Sequence, residues 1–244
     1  MPPKFKRKYI KLPPHRESNA TKLAHLYRLG LRNRYGDKMQ STAGIHYNFS
    51  FSDSVIEALG NNKTEIYLGI SRNFLRVFPL ILRLMGCSPV THKSFLKGRS
   101  INIENLNSED CYLPKSTSLR VSRLGYYSEE QDENFITFNS LEGYLGTIKD
   151  YINIPNEKFK NISLDLKQQV NNGTIQMESE LYNHVRPKGV ISKKIRPYNQ
   201  LKNHGVEYLE IRSIDLNPYT SIGISIEDIE SVSYTHLTLP TTLQ

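Results

Sequence analysis

His46 and Asn48 lie two residues apart in the stretch Gly44-Ile45-His46-Tyr47-Asn48-Phe49-Ser50-Phe51. Glu210 and Arg212 have the same spacing in Val206 to Ile214. Both stretches alternate between apolar and polar residues, the pattern of strands with one face on a core. Each pair therefore shares a polar face that is open to a ligand. A neutral imidazole and a carboxylate can together hold a divalent ion, and a guanidinium two residues on can meet a phosphoryl or carboxylate group. Taken singly, a strand histidine is more often structural and a Glu-x-Arg pair more often a solvated ion pair. Arg120 and Arg186 sit among apolar neighbours and could each clamp an anion or be ordinary surface arginines. The sequence holds no glycine-rich phosphate loop, no Ser/His/Asp or Cys/His arrangement and no dense carboxylate cluster.

The elements that must carry these residues can be read from periodicity. Leu23, Leu26, Tyr27, Gly30 and Leu31 fall on one helical stripe, with Asn19 as the expected N-cap and Gly36 as the stop. Residues 64–85 form the longest helical pattern, which Pro79 is expected to kink or divide. Leu119 to Leu124 alternates and reads as a further strand. Asn139 to Ile152 reads as an amphipathic helix closed by Pro155. In Val206 to Ile214, Tyr208, Glu210 and Arg212 take one face and Leu209 and Ile211 the other.

With 244 residues, 38% hydrophobic and 23% charged, the chain can bury a core. A net charge of +8 suits an anionic partner, either a small polyanion or nucleic acid. The run Lys4-Phe5-Lys6-Arg7-Lys8 could be a nucleic-acid arm. The remaining basic residues are dispersed, however, and no nucleic-acid-binding motif is present, so no nucleic-acid partner is expected. The most apolar stretch, Phe74 to Met85, is too short for a membrane span and is broken by Arg76 and Arg83. No secretory signal is visible, so a cytoplasmic location is expected, with Cys87 and Cys111 as reduced thiols.

An ordered series of segments adds to this. Leu26-Tyr27-Arg28-Leu29-Gly30-Leu31-Arg32-Asn33-Arg34-Tyr35-Gly36 is followed by Met39-Gln40 and the His46 strand. Ser71-Arg72-Asn73, Gly86-Cys87-Ser88-Pro89, Leu119-Arg120-Val121-Ser122-Arg123-Leu124-Gly125-Tyr126, Glu180-Leu181-Tyr182 and Arg186-Pro187-Lys188 come next. Gly205 to Pro218 closes the series. In this order and spacing the chain resembles the glutamate–cysteine ligases of gamma-proteobacteria, over about residues 19–230.

The resemblance implies an α+β, glutamine-synthetase-like fold, in which a curved antiparallel sheet with flanking helices holds metal, ATP and glutamate. It implies ATP-dependent joining of the glutamate side-chain carboxylate to cysteine through γ-glutamyl phosphate, the first step of glutathione synthesis, with Mg2+ or Mn2+. By the same resemblance His46 and Glu210 are metal ligands and Arg212 acts on the transferred phosphoryl group. Tyr27, Leu31, Gln40, Arg120, Tyr126 and Tyr182 are substrate-binding residues, with Arg120, Tyr126 and Tyr182 expected to open onto one cavity. Tyr27 and Leu31 are one helical turn apart and so face the same way.

The expected organisation is a basic, Pro-rich lead-in at 1–18, a partial and by itself inactive ligase catalytic domain at 19–231, and a tail at 232–244. The family's further magnesium carboxylates are expected to precede residue 1. The tail resembles the conceptual translation of a sequencing-library adaptor, so the open reading frame is expected to be truncated at both ends. Two other readings stand beside this one: a ligase of the same fold acting on a different amine, and a non-catalytic basic module.

Overall fold

The computed structural model describes residues 12, 14, 17–96, 101–125, 127–132, 136–192 and 195–237. Tyr126 and the basic run Lys4 to Lys8 lie outside the described residues. Helix α1 spans Asn19–Tyr35. Its N-cap is Ser18, one residue before the expected Asn19: the Ser18 Oγ accepts the Thr21 N–H at 3.3 Å. Gly36 ends the helix at φ 83°, a backbone conformation suited to glycine. Strand β1 (Ile45–Phe49) and the short helix α2 (Asp53–Ala58) follow.

Helix α3 runs unbroken over Lys63–Met85 with Pro79 inside it, so the expected division does not occur. Packing along its whole length outweighs the missing N–H. Tyr67, Leu68, Ile70, Phe74, Phe78 and Ile81 are all buried on one side. Strands β2 (Val90–His92), β3 (Glu104–Asn105) and β4 (Asp110–Tyr112) form a small antiparallel sheet in the order β2-β4-β3. The chain continues through α4 (Glu129–Asp132), α5 (Leu141–Asn153), β5 (Val185–Lys188), α6 (Pro197–His204), β6 (Tyr208–Ile214) and α7 (Ile226–Leu237).

The sheet that matters most is antiparallel, in the order β1-β6-β5. Its register pairs Asn48 with Glu210 and Glu210 with Arg186, while Phe49 and Pro187 both pair with Leu209. Leu209, Ile211 and Val185 are fully buried against the apolar side of α3. Burial of a side chain of this size stabilises by about 1.5–3 kcal/mol. Helix α7 lies on α3, with Val232 fully buried and Tyr47 and Ser233 sharing a hydroxyl–hydroxyl hydrogen bond of 2.7 Å. The helix thus runs across the boundary between residues 231 and 232, where the expected tail begins.

Residues 119–124 are a series of turns and not the expected strand. Serine hydroxyls explain the difference. Ser118 Oγ accepts the Val121 N–H and Ser122 Oγ accepts the Leu124 N–H, each at 3.2 Å, so side chains occupy backbone groups that a ladder would have used. The chain doubles back so tightly that a Cβ on Gly125 would lie 2.0 Å from the Arg120 carbonyl oxygen.

Two ion pairs tie the loops to this frame. Arg34 Nη1 meets Glu180 Oε1 at 3.2 Å, and neither side chain has solvent exposure. Nη1 also donates to the Thr174 carbonyl, while Nε and Nη2 donate to Gln169 Oε1 and the Asn171 carbonyl. Glu180 accepts the Tyr35 hydroxyl at 2.9 Å and the Gln176 N–H at 2.8 Å. Burial raises the Glu180 carboxyl above the usual carboxylate range despite Arg34 beside it. The second tie joins Arg120 Nε to Asp215 Oδ1 at 2.7 Å, while Asp215 Oδ2 accepts the Cys87 N–H and the Ser88 hydroxyl.

Buried polar groups of this kind have measurable consequences. Glu180→Ala leaves Arg34 buried and unpaired, with an expected loss of about 3–5 kcal/mol in denaturant unfolding. The double variant R34M/E180L should lose much less, since apolar pairs often replace buried ion pairs at little cost. Burial pushes the Tyr144 phenol up from 10.0 to about 12. The folded state keeps that proton in a range where the unfolded chain releases it. Stability therefore falls as pH rises from about 10 to about 12, by up to about 1.4 kcal/mol per pH unit. Tyr144→Phe should flatten the alkaline limb of a stability–pH curve.

Candidate active site

The polar face of β1-β6-β5 is the opposite of the face that α3 covers, and alternation assigns its residues. Asn48, Glu210 and Arg186 are register partners and so point the same way. Tyr208 and Arg212 flank Glu210 at i−2 and i+2, and Lys188 pairs with Tyr208. A register shift between Ile45 and Tyr47 brings His46 diagonally toward Glu210.

Glu210 is the hub of this face. Its Oε1 lies 3.5 Å from His46 Nδ1, and its Oε2 lies 3.0 Å from Arg212 Nη1 and 3.5 Å from Lys188 Nζ. Burial alone would raise the Glu210 carboxyl, but Lys188 and Arg212 outweigh it and hold the group below the usual carboxylate range. His46 is held below its ordinary value by burial and by Arg212, against the pull of Glu210. Burial also lowers the Lys188 ammonium, which Glu210 opposes. The face therefore offers an ionised carboxylate, a neutral imidazole and a cluster of cations, an arrangement that attracts anions. The Glu210 side chain is only 12% exposed, whereas His46 is 46% exposed, so the imidazole is the more open donor.

These donors suit a hard divalent ion in chemistry, though not in number: among the described residues no group of three His, Cys, Asp or Glu comes together.

The expected substrate-binding residues fall in several places. Tyr27 and Leu31 lie on α1; the Tyr27 carbonyl accepts from Gln176 Nε2, and Leu31 is buried. Gln40 donates to the Arg28 carbonyl at 3.2 Å, and its Oε1 is buried without a hydrogen-bond partner among the described residues. The Tyr182 hydroxyl reaches Met39 Sδ at 3.8 Å and its ring meets Tyr35 edge-on at 5.7 Å. Tyr182 lines a cavity of about 410 Å3 with Arg123, Gln131, Asn183 and His184. Arg120 lines a different cavity of about 240 Å3, with Phe95, Leu119 and Asp215. Its guanidinium braces Asp215 and, at 3.2 Å, the Arg212 carbonyl. A Cβ on Gly44 would lie 2.4 Å from the Arg120 Cζ, so a larger residue there would displace the guanidinium from its present position.

Sequence reasoning about the paired face left out Lys188. Its signal was its place two residues after Arg186, on the same face of β5.

Fold and site together define an α+β protein whose main sheet presents an anion-attracting polar face. The family model described as glutamate–cysteine ligase matches residues 1–239, and the chain belongs to that family. It is 38% identical over 233 residues to a glutamate–cysteine ligase of Hahella chejuensis, covering 90% of this chain and 44% of that protein. It is 40% identical over 230 residues to one from Vibrio vulnificus, covering 88% of this chain and 44% of that protein. Among solved structures, a Francisella tularensis glutamate–cysteine ligase in complex with AMP superposes with a TM-score of 0.83 at 31% identity. That match covers 91% of this chain and 46% of the other. A bifunctional glutathione synthetase from Pasteurella multocida gives a TM-score of 0.58 at 26% identity, covering 85% of this chain and 24% of that one. The chain spans less than half the length of the curated relatives it matches.

The hub makes a specific prediction. Among the described residues Glu210 is the acidic group that raises the His46 pKa against burial and three arginines. Glu210→Gln should push His46 still further below its ordinary value, read from the imidazole resonances in an NMR pH titration. An upward shift would mean that Glu210 does not act on His46.

Proposed function

We propose that this chain serves the ATP-dependent joining of the glutamate side-chain carboxylate to the amino group of cysteine. The observation that carries the reading is the meeting of His46, Lys188 and Arg212 on the single carboxylate of Glu210. Family membership supports it, as does the AMP held by the Francisella tularensis relative.

A carboxylate has no leaving group of its own. One of its oxygens attacks the terminal phosphorus of ATP, the bond to ADP breaks, and γ-glutamyl phosphate forms. The cysteine nitrogen then attacks the acyl carbon and phosphate departs. The first step brings two anions together, so positive charge must be in place beforehand. Arg212 and Lys188 supply it from fixed positions on the sheet, with Arg212 stabilising the phosphoryl group in transfer. His46 and Glu210 would hold Mg2+ or Mn2+, which supplies further charge neutralisation when bound. His46 can do so because burial and Arg212 keep its ring neutral. Tyr27, Leu31, Gln40, Arg120, Tyr126 and Tyr182 are proposed to shape the substrate pocket. The cytoplasm, with its ATP and reduced thiols, is the proposed compartment.

The test is ADP release by the gene product that contains this chain, measured with glutamate, Mg2+ and a panel of amines. Cysteine should stimulate release and yield γ-glutamylcysteine, and Arg212→Gln should lower kcat by at least about 100-fold. Stimulation by a different amine, with none by cysteine, would reassign the substrate.

A further inference from the structure

The cavity beside Tyr182 contains an arginine to which no role has yet been given. We propose that Arg123 receives the α-carboxylate of the amine substrate and so sets the preference for an amino acid over a simple amine. The inference rests on the ligase reading above.

Arg120 and Arg123 leave the same tight turn in different states. Arg120 is engaged by Asp215 and the Arg212 carbonyl, which makes it a brace between the turn and the end of β6. Arg123 is exposed, and among the described residues it makes no hydrogen bond or ion pair. Its guanidinium lies 5.7 Å from the centre of the Tyr127 ring, a cation–π contact that leaves its donors available.

Arg123 is the one arginine or lysine among the described residues lining the cavity of about 410 Å3. The same side chain lines the neighbouring cavity that contains Tyr35 and Met39, so it stands between the two. The Tyr182 cavity, which Leu75 of α3 also lines, reaches the sheet just before β5. Its wall residue His184 gives its carbonyl to the Arg212 N–H at 2.9 Å. An amino acid placed there would have its carboxylate on a planar, bidentate donor, with its amine free to point toward the sheet. Gln131, Asn183, Ser122 and Ser128 add neutral hydrogen-bonding groups without competing charge.

Cysteamine, which is cysteine without its carboxylate, separates this role from a structural one. In the gene product that contains this chain, KM is measured for cysteine and for cysteamine by ADP release. Arg123→Gln should raise KM for cysteine about 10- to 100-fold, the loss of one charge-assisted contact. It should leave KM for cysteamine as in the wild type, and Arg123→Lys should restore part of the preference. An equal rise for both amines, no rise for either, or loss of the preference in Arg120→Gln alone would overturn the proposal. A wild type that responds to neither amine overturns the ligase reading, and this inference with it.

Discussion

The covering of one side of the β1-β6-β5 sheet by α3 is the constraint from which the rest follows. Side chains on a strand alternate, so burying Leu209 and Ile211 commits Tyr208, Glu210 and Arg212 to the other side. A one-residue slip of β6 would exchange the two sets and bury a carboxylate and a guanidinium against phenylalanine rings. The apolar packing that stabilises the fold thus also fixes which way the polar groups face.

The two ion-pair ties differ in kind from this packing. Arg34 with Glu180 and Arg120 with Asp215 span sequence separations of 146 and 95 residues. Each arginine also donates to backbone carbonyls, Arg34 to loop segments and Arg120 to β6. Such groups add little net stability relative to apolar replacements, but they penalise any arrangement that leaves one partner alone in the interior. The loop between α5 and β5 and the turn at 119–124 are thereby held to definite positions beside the sheet. Both deliver residues to the cavities, Tyr182 from the first and Arg123 from the second.

How much could be read from the sequence varied with the source of each signal. The strands around His46 and Glu210 were legible because one-sided burial writes a period of two into the residues themselves. The helices at α1, α3 and α5 were legible for the same reason at a period near 3.6. Residues 119–124 carried the strand period without being a strand, since periodicity cannot show that Ser118 and Ser122 will bond to their own backbone. The Lys188–Glu210 and Arg34–Glu180 pairs left no local trace, because each partner sits in a different element and only the fold brings them together. The difference between Arg120 and Arg123 was illegible for that reason too: the two residues look alike until Asp215, just past β6, meets the first of them.

The surroundings of the two cysteines bear on the chemistry of a protein that would work among free thiols. Cys87 lies at the Asp215 junction and Cys111 is buried in β4. Burial raises both thiols above their ordinary value, and the nearby Asp215 carboxylate adds to the effect at Cys87. Thiol–disulfide exchange proceeds through the thiolate, so both side chains are poor nucleophiles at neutral pH. Both thiols of this chain therefore resist mixed disulfides with small thiols in the surrounding solution, and the packing at the Asp215 junction and in β4 stays intact under oxidising conditions.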